Sequence, residues 1–262
     1  MTVHLRPVGA AHGQSTRTAS GWFLSWVLGC AFACVCWADS GRAAGHLIAV
    51  DVGHSIAAQG AISARAVAEF EFNRALALVL DEELRRSGYG TALIAVDGKT
   101  RDLVSRPRAA AAARAGLYVS IHHDSAKARF QQDWVFEGQN RKFLDDRFRG
   151  FSIFVSRSNP QWPLALRCAS AIGARMIGAG QRPSRYHADP VLGSAREFAD
   201  EANGVHFYDN LAVLRLAAMP ALLFEAGVIV NRDEEVWLAR DEARRVIATA
   251  IRMGIADCGF RP

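Results

Sequence analysis

From residue 46 to the end of the chain, short apolar runs alternate with longer amphipathic stretches. That alternation restricts the chain to a sheet whose faces are covered by helices, because neither kind of segment can bury its apolar side alone. His46 to Asp51 reads as the first strand. The stretch Glu69 to Arg86 carries Phe72, Leu76, Val79, Leu80 and Leu84 at helical spacing, with Ser87-Gly88 as a stop signal. Thr91 to Val96 reads as the second strand. Arg101 to Ala115 reads as an Ala- and Arg-rich helix in which Pro107 must sit in the first turn or kink it. Leu117 to Ile121 is the third strand. Further on, Phe151 to Ser156 reads as a strand, Leu164 to Ile177 as a helix, and Leu211 to Leu216 and Ala221 to Phe224 as two last strands. Asp233 to Ile255 reads as a closing helix with Val236, Leu238, Val246, Ile247 and Ile251 inward. Two segments show no period, the polar and aromatic stretch from Ala126 to Arg149 and the stretch from Gln181 to Asn203. The first reads as a long surface insertion.

A chain of 262 residues suits one sizeable α/β domain better than two small ones. The first 44 residues stand apart from that domain, which runs from 45 to 262. Arg6 and Arg17 precede the apolar run Trp22 to Ala38, and small and polar residues follow. This is the layout of a secretory signal, cleaved near Ala38 or Ala43. A retained membrane anchor is the alternative, although the run is short for a bilayer and contains Ser25 and Gly29. Export to the periplasm or the extracellular space is the expected localisation, with the membrane met only through that segment. Cysteine usage agrees: Cys30, Cys34 and Cys36 lie in the apolar run, and removal of that run leaves Cys168 and Cys258. In an oxidising compartment these two can form a disulfide or stay as two buried thiols. The net charge of +5 is compatible with an anionic polymer, and without a supporting motif it gives no reason to expect nucleic-acid binding.

Four side chains could carry chemistry. His54 follows the first strand in VDVGHS, with Gly53 allowing a sharp turn, at a strand's carboxyl end where α/β sheets bind ligands. Glu69 opens a helix in AEFEFN and competes there with Glu71; the two point in different directions, so only one can serve, and spacing does not choose. In VSIHHDS, an apolar strand ends in His122, His123 and Asp124, with alternation sending His122 and Asp124 to one face and His123 to the other. Glu225 ends the apolar strand ALLFE. Burial there would raise its pKa, as a general base near neutral pH requires, and a buried ion pair with Arg106 is an equal alternative. Two histidines and a carboxylate make a three-ligand zinc site with a fourth position open, and a second carboxylate opposite can take a proton from water.

Five elements in order carry a resemblance: Gly53-His54, Glu69, Leu103 to Arg106, Ser120 to Asp124, and Pro220 to Gly227. Across the whole chain after the leader, they resemble the N-acetylmuramoyl-L-alanine amidase family called amidase 3. The resemblance implies an α/β fold, a three-layer αβα sandwich around a mixed, mostly parallel twisted sheet of about six strands (phosphorylase/hydrolase-like). It implies that His54, Glu69 and His122 ligate Zn2+ and that Glu225 is catalytic, and it favours Glu69 over Glu71 because Asn73 matches a family Asn. The implied reaction is hydrolysis of the amide between N-acetylmuramic acid and L-alanine in peptidoglycan. A monomer is expected, and an activator protein is expected if the insertion from Ala126 to Arg149 packs over the metal and has to be moved. The sequence departs from the family pattern at Ser55-Ile56-Ala57 and at Asp124, which stands where the family commonly has Asn. His187 is a candidate for gripping substrate, and the insertion from Ala126 to Arg149 is a candidate gate over the metal.

Overall fold

The computed structural model describes residues 47–262, so the presumed leader lies outside the described residues. Two buried runs, β1 (Leu47–Val52) and β3 (Leu117–Asp124), lie side by side in parallel, and the partly exposed edge strand β2 (Gly90–Ile94) pairs in parallel with β1. Their connections are the helices α1 (Glu69–Arg86) and α2 (Ser105–Ala112). The α1 stretch turns helical because its apolar residues recur on one stripe, and acids in its first turn and arginines in its last complement the helix dipole. Pro107 sits in the first turn of α2, where a missing N–H costs nothing.

The sheet continues through β9 (Ala221–Val228), β6 (Ser152–Val155), β8 (Val205–Phe207) and β7 (Phe198–Asp200), giving the order β2-β1-β3-β9-β6-β8-β7. The β9–β6 and β7–β8 pairs are antiparallel, and the others are parallel. This mixed, mostly parallel sheet of seven strands agrees with the expected sheet of about six. Leu211 to Leu216 is not one of them: it forms the short helix α4 (Ala212–Arg215), with Val213 and Leu214 buried. A six-residue apolar run carries no period that distinguishes a strand from a helical turn. β7 and β8, three residues each, are too short for alternation to reveal.

One face of the sheet, with Ile48, Val50, Val52, Val119 and Ile121, is covered by α1, α3 (Trp162–Gly178) and the C-terminal helix. The other, with Ala49, Tyr118, Ala221 and Leu223, is covered among the described residues only by α2 and α4. Even-numbered residues of β3 and odd-numbered residues of β9 therefore point to the thinly covered face, and His122 and Glu225 follow that rule. The expected closing helix is two helices, α5 (Arg232–Leu238) and α6 (Asp241–Asp257). Arg240 between them is extended, and no Gly or Pro announces the break. Leu238, Ile247 and Ile251 are buried as expected, whereas Val236 is exposed. Cys168 of α3 is bonded to Cys258 after α6, with Cα atoms 4.9 Å apart.

The segment from Ala126 to Arg149 is not irregular throughout. It contains the antiparallel hairpin β4 (Gln132–Phe136) and β5 (Gln139–Phe143), joined by Glu137 and Gly138, both with positive φ. Arg65 lies over Trp134 and Phe136, and Arg232 lies over Phe143. The hairpin thus rests beside the loop from His54 to Glu69, and none of its residues lines the cavity that contains His54, His122 and Glu225. The start of the segment, Ala126 and Lys127, instead lines a smaller cavity that also reaches Glu225.

Candidate metal centre

β1 and β3 end side by side, and α1 begins above them, so one corner of the sheet collects three donors from distant parts of the chain. The ligand atoms of His54, Glu69 and His122 all lie within 4.8 Å of one another. Glu69 sits between the imidazoles, with Oε2 3.0 Å from Nε2 of His54 and Oε1 3.1 Å from Nδ1 of His122. Its carboxylate also accepts from the Ala61 N–H, the His123 N–H and the Asn73 amide. Burial opposes charge on Glu69, but the two histidines outweigh it and hold the carboxyl far below its ordinary range. Glu71 is exposed and points away.

Backbone shape explains the convergence. His54 itself has φ 66°, the left-handed conformation that a non-glycine residue adopts only when its surroundings impose it. The expectation that Gly53 makes the turn is therefore corrected: Gly53 is needed for space, because a Cβ there would overlap the His122 ring. Gly60, which the sequence did not single out, needs both conformation and space. Its φ is +76°, and a Cβ would overlap Glu69 and His54. The loop from His54 to Glu69 is tied down by Glu235, which accepts from the Ser63 hydroxyl and pairs with Arg65 at 2.8 Å.

Arg106 pairs with Asp51 at 2.9 Å and also donates to the carbonyls of Val52, His54 and Thr100. Asp51 in turn accepts from the Ser120 hydroxyl at 2.6 Å. The alternative reading of Glu225 as the partner of Arg106 is thereby excluded. His123 faces the opposite layer as alternation predicts, with Nδ1 2.8 Å from the Asn73 side-chain oxygen, and burial lowers its pKa to about 3, so it is neutral.

Glu225 stands next to His122 in the parallel ladder, on the same face. Its Oε2 has no hydrogen-bond partner. Burial first, then the charges of Asp124 and Glu69, push its pKa well above the ordinary value. Glu225 lines two cavities. One, of about 460 Å³, also holds His54, His122, Leu103 and Leu211. The other, of about 240 Å³, holds Asp124, Lys127, His187, Arg196 and Tyr208. Asp124 accepts from Tyr186 Oη at 2.5 Å and lies 2.6 Å from His187 Nε2. His187 thus lines the second cavity.

Two imidazole nitrogens and one carboxylate oxygen at this spacing are a donor set that could hold a divalent ion with a coordination position to spare. Among the described residues no helix is long and apolar enough to cross a membrane.

Solved structures share the fold. The catalytic domain of CwlV, an N-acetylmuramoyl-L-alanine amidase from Bacillus (Paenibacillus) polymyxa, is 23% identical with TM-score 0.59, covering 80% of this chain and 96% of its own. Ami1 from Mycobacterium abscessus, an N-acetylmuramyl-L-alanine amidase, is 21% identical with TM-score 0.63, covering 82% and 98%. The CwlD amidase of Clostridioides difficile, solved with the GerS lipoprotein, is 20% identical with TM-score 0.60, covering 81% and 98%. A comparison with curated proteins gives no match. At these identities the likeness concerns the fold, whereas the sequence profile of one family matches residues 48–257, most of the chain. This chain belongs to the amidase 3 family of N-acetylmuramoyl-L-alanine amidases, enzymes acting on cell-wall peptidoglycan.

Proposed function

We propose that this amidase is zinc-dependent, that His54, Glu69 and His122 hold the ion, and that Glu225 is the proton-transfer residue for cleavage between N-acetylmuramic acid and L-alanine. The observation that carries the reading is the register of His122 beside Glu225, which brings three converging donors together with a carboxylate whose Oε2 has no hydrogen-bond partner. Zinc, when bound, supplies positive charge that polarises a carbonyl and acidifies water. Glu69 contributes a fixed negative charge, already ionised and saturated with hydrogen bonds. Glu225, with its proton affinity raised by burial, accepts a proton from the attacking water at Oε2 and delivers it to the leaving amine of L-alanine.

A wall-binding protein without turnover is the competing reading. Such a protein has no need for a half-buried carboxylate beside the donor triad whose Oε2 is buried without a partner, since that oxygen costs stability and contributes nothing to binding. The proposal includes residues 45–262 acting as one catalytic domain, export by the leader to the periplasm or extracellular space, and a monomeric enzyme. It also includes an activator protein, for which the complex of CwlD with GerS is the supporting analogy.

Digestion of purified peptidoglycan followed by mass spectrometry tests the whole reading. Stem peptides beginning with L-alanine are expected from the zinc-loaded protein and not from a chelated sample or from Glu225→Ala. Equal release by the chelated sample would remove zinc from the mechanism.

A further inference from the structure

The second cavity beside Glu225 is walled mainly by the segment after α3 and the start of the insertion, and the ends of β3 and β6 complete it with Asp124 and Phe154. Of its two carboxylates, Glu225 faces both cavities and Asp124 is already satisfied. Asp124 accepts from the Ser125 N–H with one oxygen and meets Tyr186 and His187 with the other. Its positive groups are not. The Arg196 guanidinium carbon lies over Tyr208, 3.3 Å from the ring centroid, and the guanidinium has no carboxylate partner among the described residues. Stacking fixes the plane of the guanidinium and leaves its in-plane N–H groups free for a planar anion. Lys127, at the rim, donates to the carbonyl of Gly193, which fixes the ammonium at the same wall.

Resting on the amidase reading, we propose that this cavity is the subsite for the peptide stem, and that Arg196 binds the free α-carboxylate of the acidic residue that follows L-alanine. The scissile amide then lies over Glu225, the one carboxylate common to both cavities, with the muramoyl side in the larger and the peptide side in the smaller. A volume of about 240 Å³ is below the usual range for a drug-sized ligand and takes one or two residues of an extended peptide. In this arrangement Arg196 distinguishes stems whose second residue carries a free carboxylate from stems in which it is amidated. His187, locked by Asp124, forms the floor between that carboxylate and the reacting amide.

The test is calorimetric titration of the zinc-loaded protein with the tripeptide L-Ala-γ-D-Glu-L-Lys, and with the same peptide carrying an α-amide on its glutamate. The free acid is expected to bind at least about tenfold more tightly than the amide, the scale of a charge-assisted hydrogen bond. In Arg196→Gln the two peptides should bind alike, and in Arg196→Lys most of the difference should return. Equal binding of the two peptides to the unaltered protein, a preference that survives in Arg196→Gln, or no binding of either would overturn the proposal. The comparison of peptides on the unaltered protein stands even if a variant does not fold. Failure of the amidase reading would show separately, as absence of muramoyl–alanine cleavage by mass spectrometry whatever the peptides do.

Discussion

Arg106 holds His54 through its backbone: the guanidinium donates to the His54 carbonyl while its other nitrogen is paired with Asp51. Both partners of the ion pair are buried, at 2% and 1% side-chain exposure. The pair therefore sets the left-handed conformation that aims the imidazole at Glu69, without touching the chemistry itself.

Arg106→Met should accordingly lower stability by about 3–5 kcal/mol, the usual result of leaving one half of a buried pair behind. It should also weaken zinc binding by more than tenfold, because His54 loses its support. Urea unfolding and a chelator competition measure the two effects. A stability loss with unchanged zinc affinity would sink the positioning role.

Gly60→Ala places a methyl group against both Glu69 and His54 in a backbone conformation that already disfavours it. We expect a folded protein whose zinc affinity falls by roughly 10–100-fold. Gly138→Ala in the β4–β5 turn is the control. It has φ +73° but open space around it, so it should cost about 1 kcal/mol and leave zinc affinity as it was. Similar zinc affinities in the two variants would mean that crowding at Gly60 is unimportant.

What could be read in advance follows a physical division. The strand ends were legible because an apolar run that terminates in His122, His123 and Asp124 has to put polar groups at a sheet edge. Helix α1 was legible from a full four-turn stripe, with both boundaries as expected. The choice between Glu69 and Glu71 was open to spacing alone, and burial of Glu69 against Asn73 and the two histidines separates them in space. Gly60 and the Asp51–Arg106–Ser120 network were not recognised, because each depends on segments far apart in sequence meeting at one corner. The break between α5 and α6 left no local signal. It is fixed by packing and by the Asn231 side chain, which accepts from the N–H groups of Asp233 and Glu234 at the start of α5. The hairpin was hidden for another reason: only Trp134 and Phe136 alternate clearly, and they face Arg65 rather than a core.

The bond between Cys168 and Cys258 closes a loop of 90 residues. In the chain-entropy view this constrains the unfolded state by an amount near the upper end of the usual range, about 3–5 kcal/mol. The double variant Cys168→Ala/Cys258→Ala should lose stability on that scale in urea. Because α3 and α6 cover the sheet face opposite to Glu225, peptidoglycan cleavage at 25 °C should change less than twofold (an estimate on the order of the scatter for independent sites). A large loss of activity in a folded variant would show that the two layers are coupled.

Glu225 supplies the prediction with a sign that can be worked out. In the folded chain its pKa is raised, by burial and by the charges of Asp124 and Glu69, above the ordinary 4.5. Below that value both the folded and the unfolded chain hold the proton, and Glu225 contributes no pH dependence. Above it the unfolded chain releases the proton while the folded chain retains it, so stability falls as pH rises, until the folded carboxyl also ionises. Glu225→Gln removes this loss. In metal-free protein the variant should be more stable than the parent by roughly 1–2 kcal/mol at neutral pH, a Tm rise of about 2–8 °C. The gain should shrink toward zero as the pH is lowered through 4.5, the ordinary glutamate value. The same variant should release no stem peptide. Thermal melts of both proteins across that pH range, beside the peptidoglycan digest, decide the matter. A variant that is inactive but no more stable at neutral pH would mean that Glu225 ionises freely in the folded enzyme, and that its suitability as a base does not come from burial.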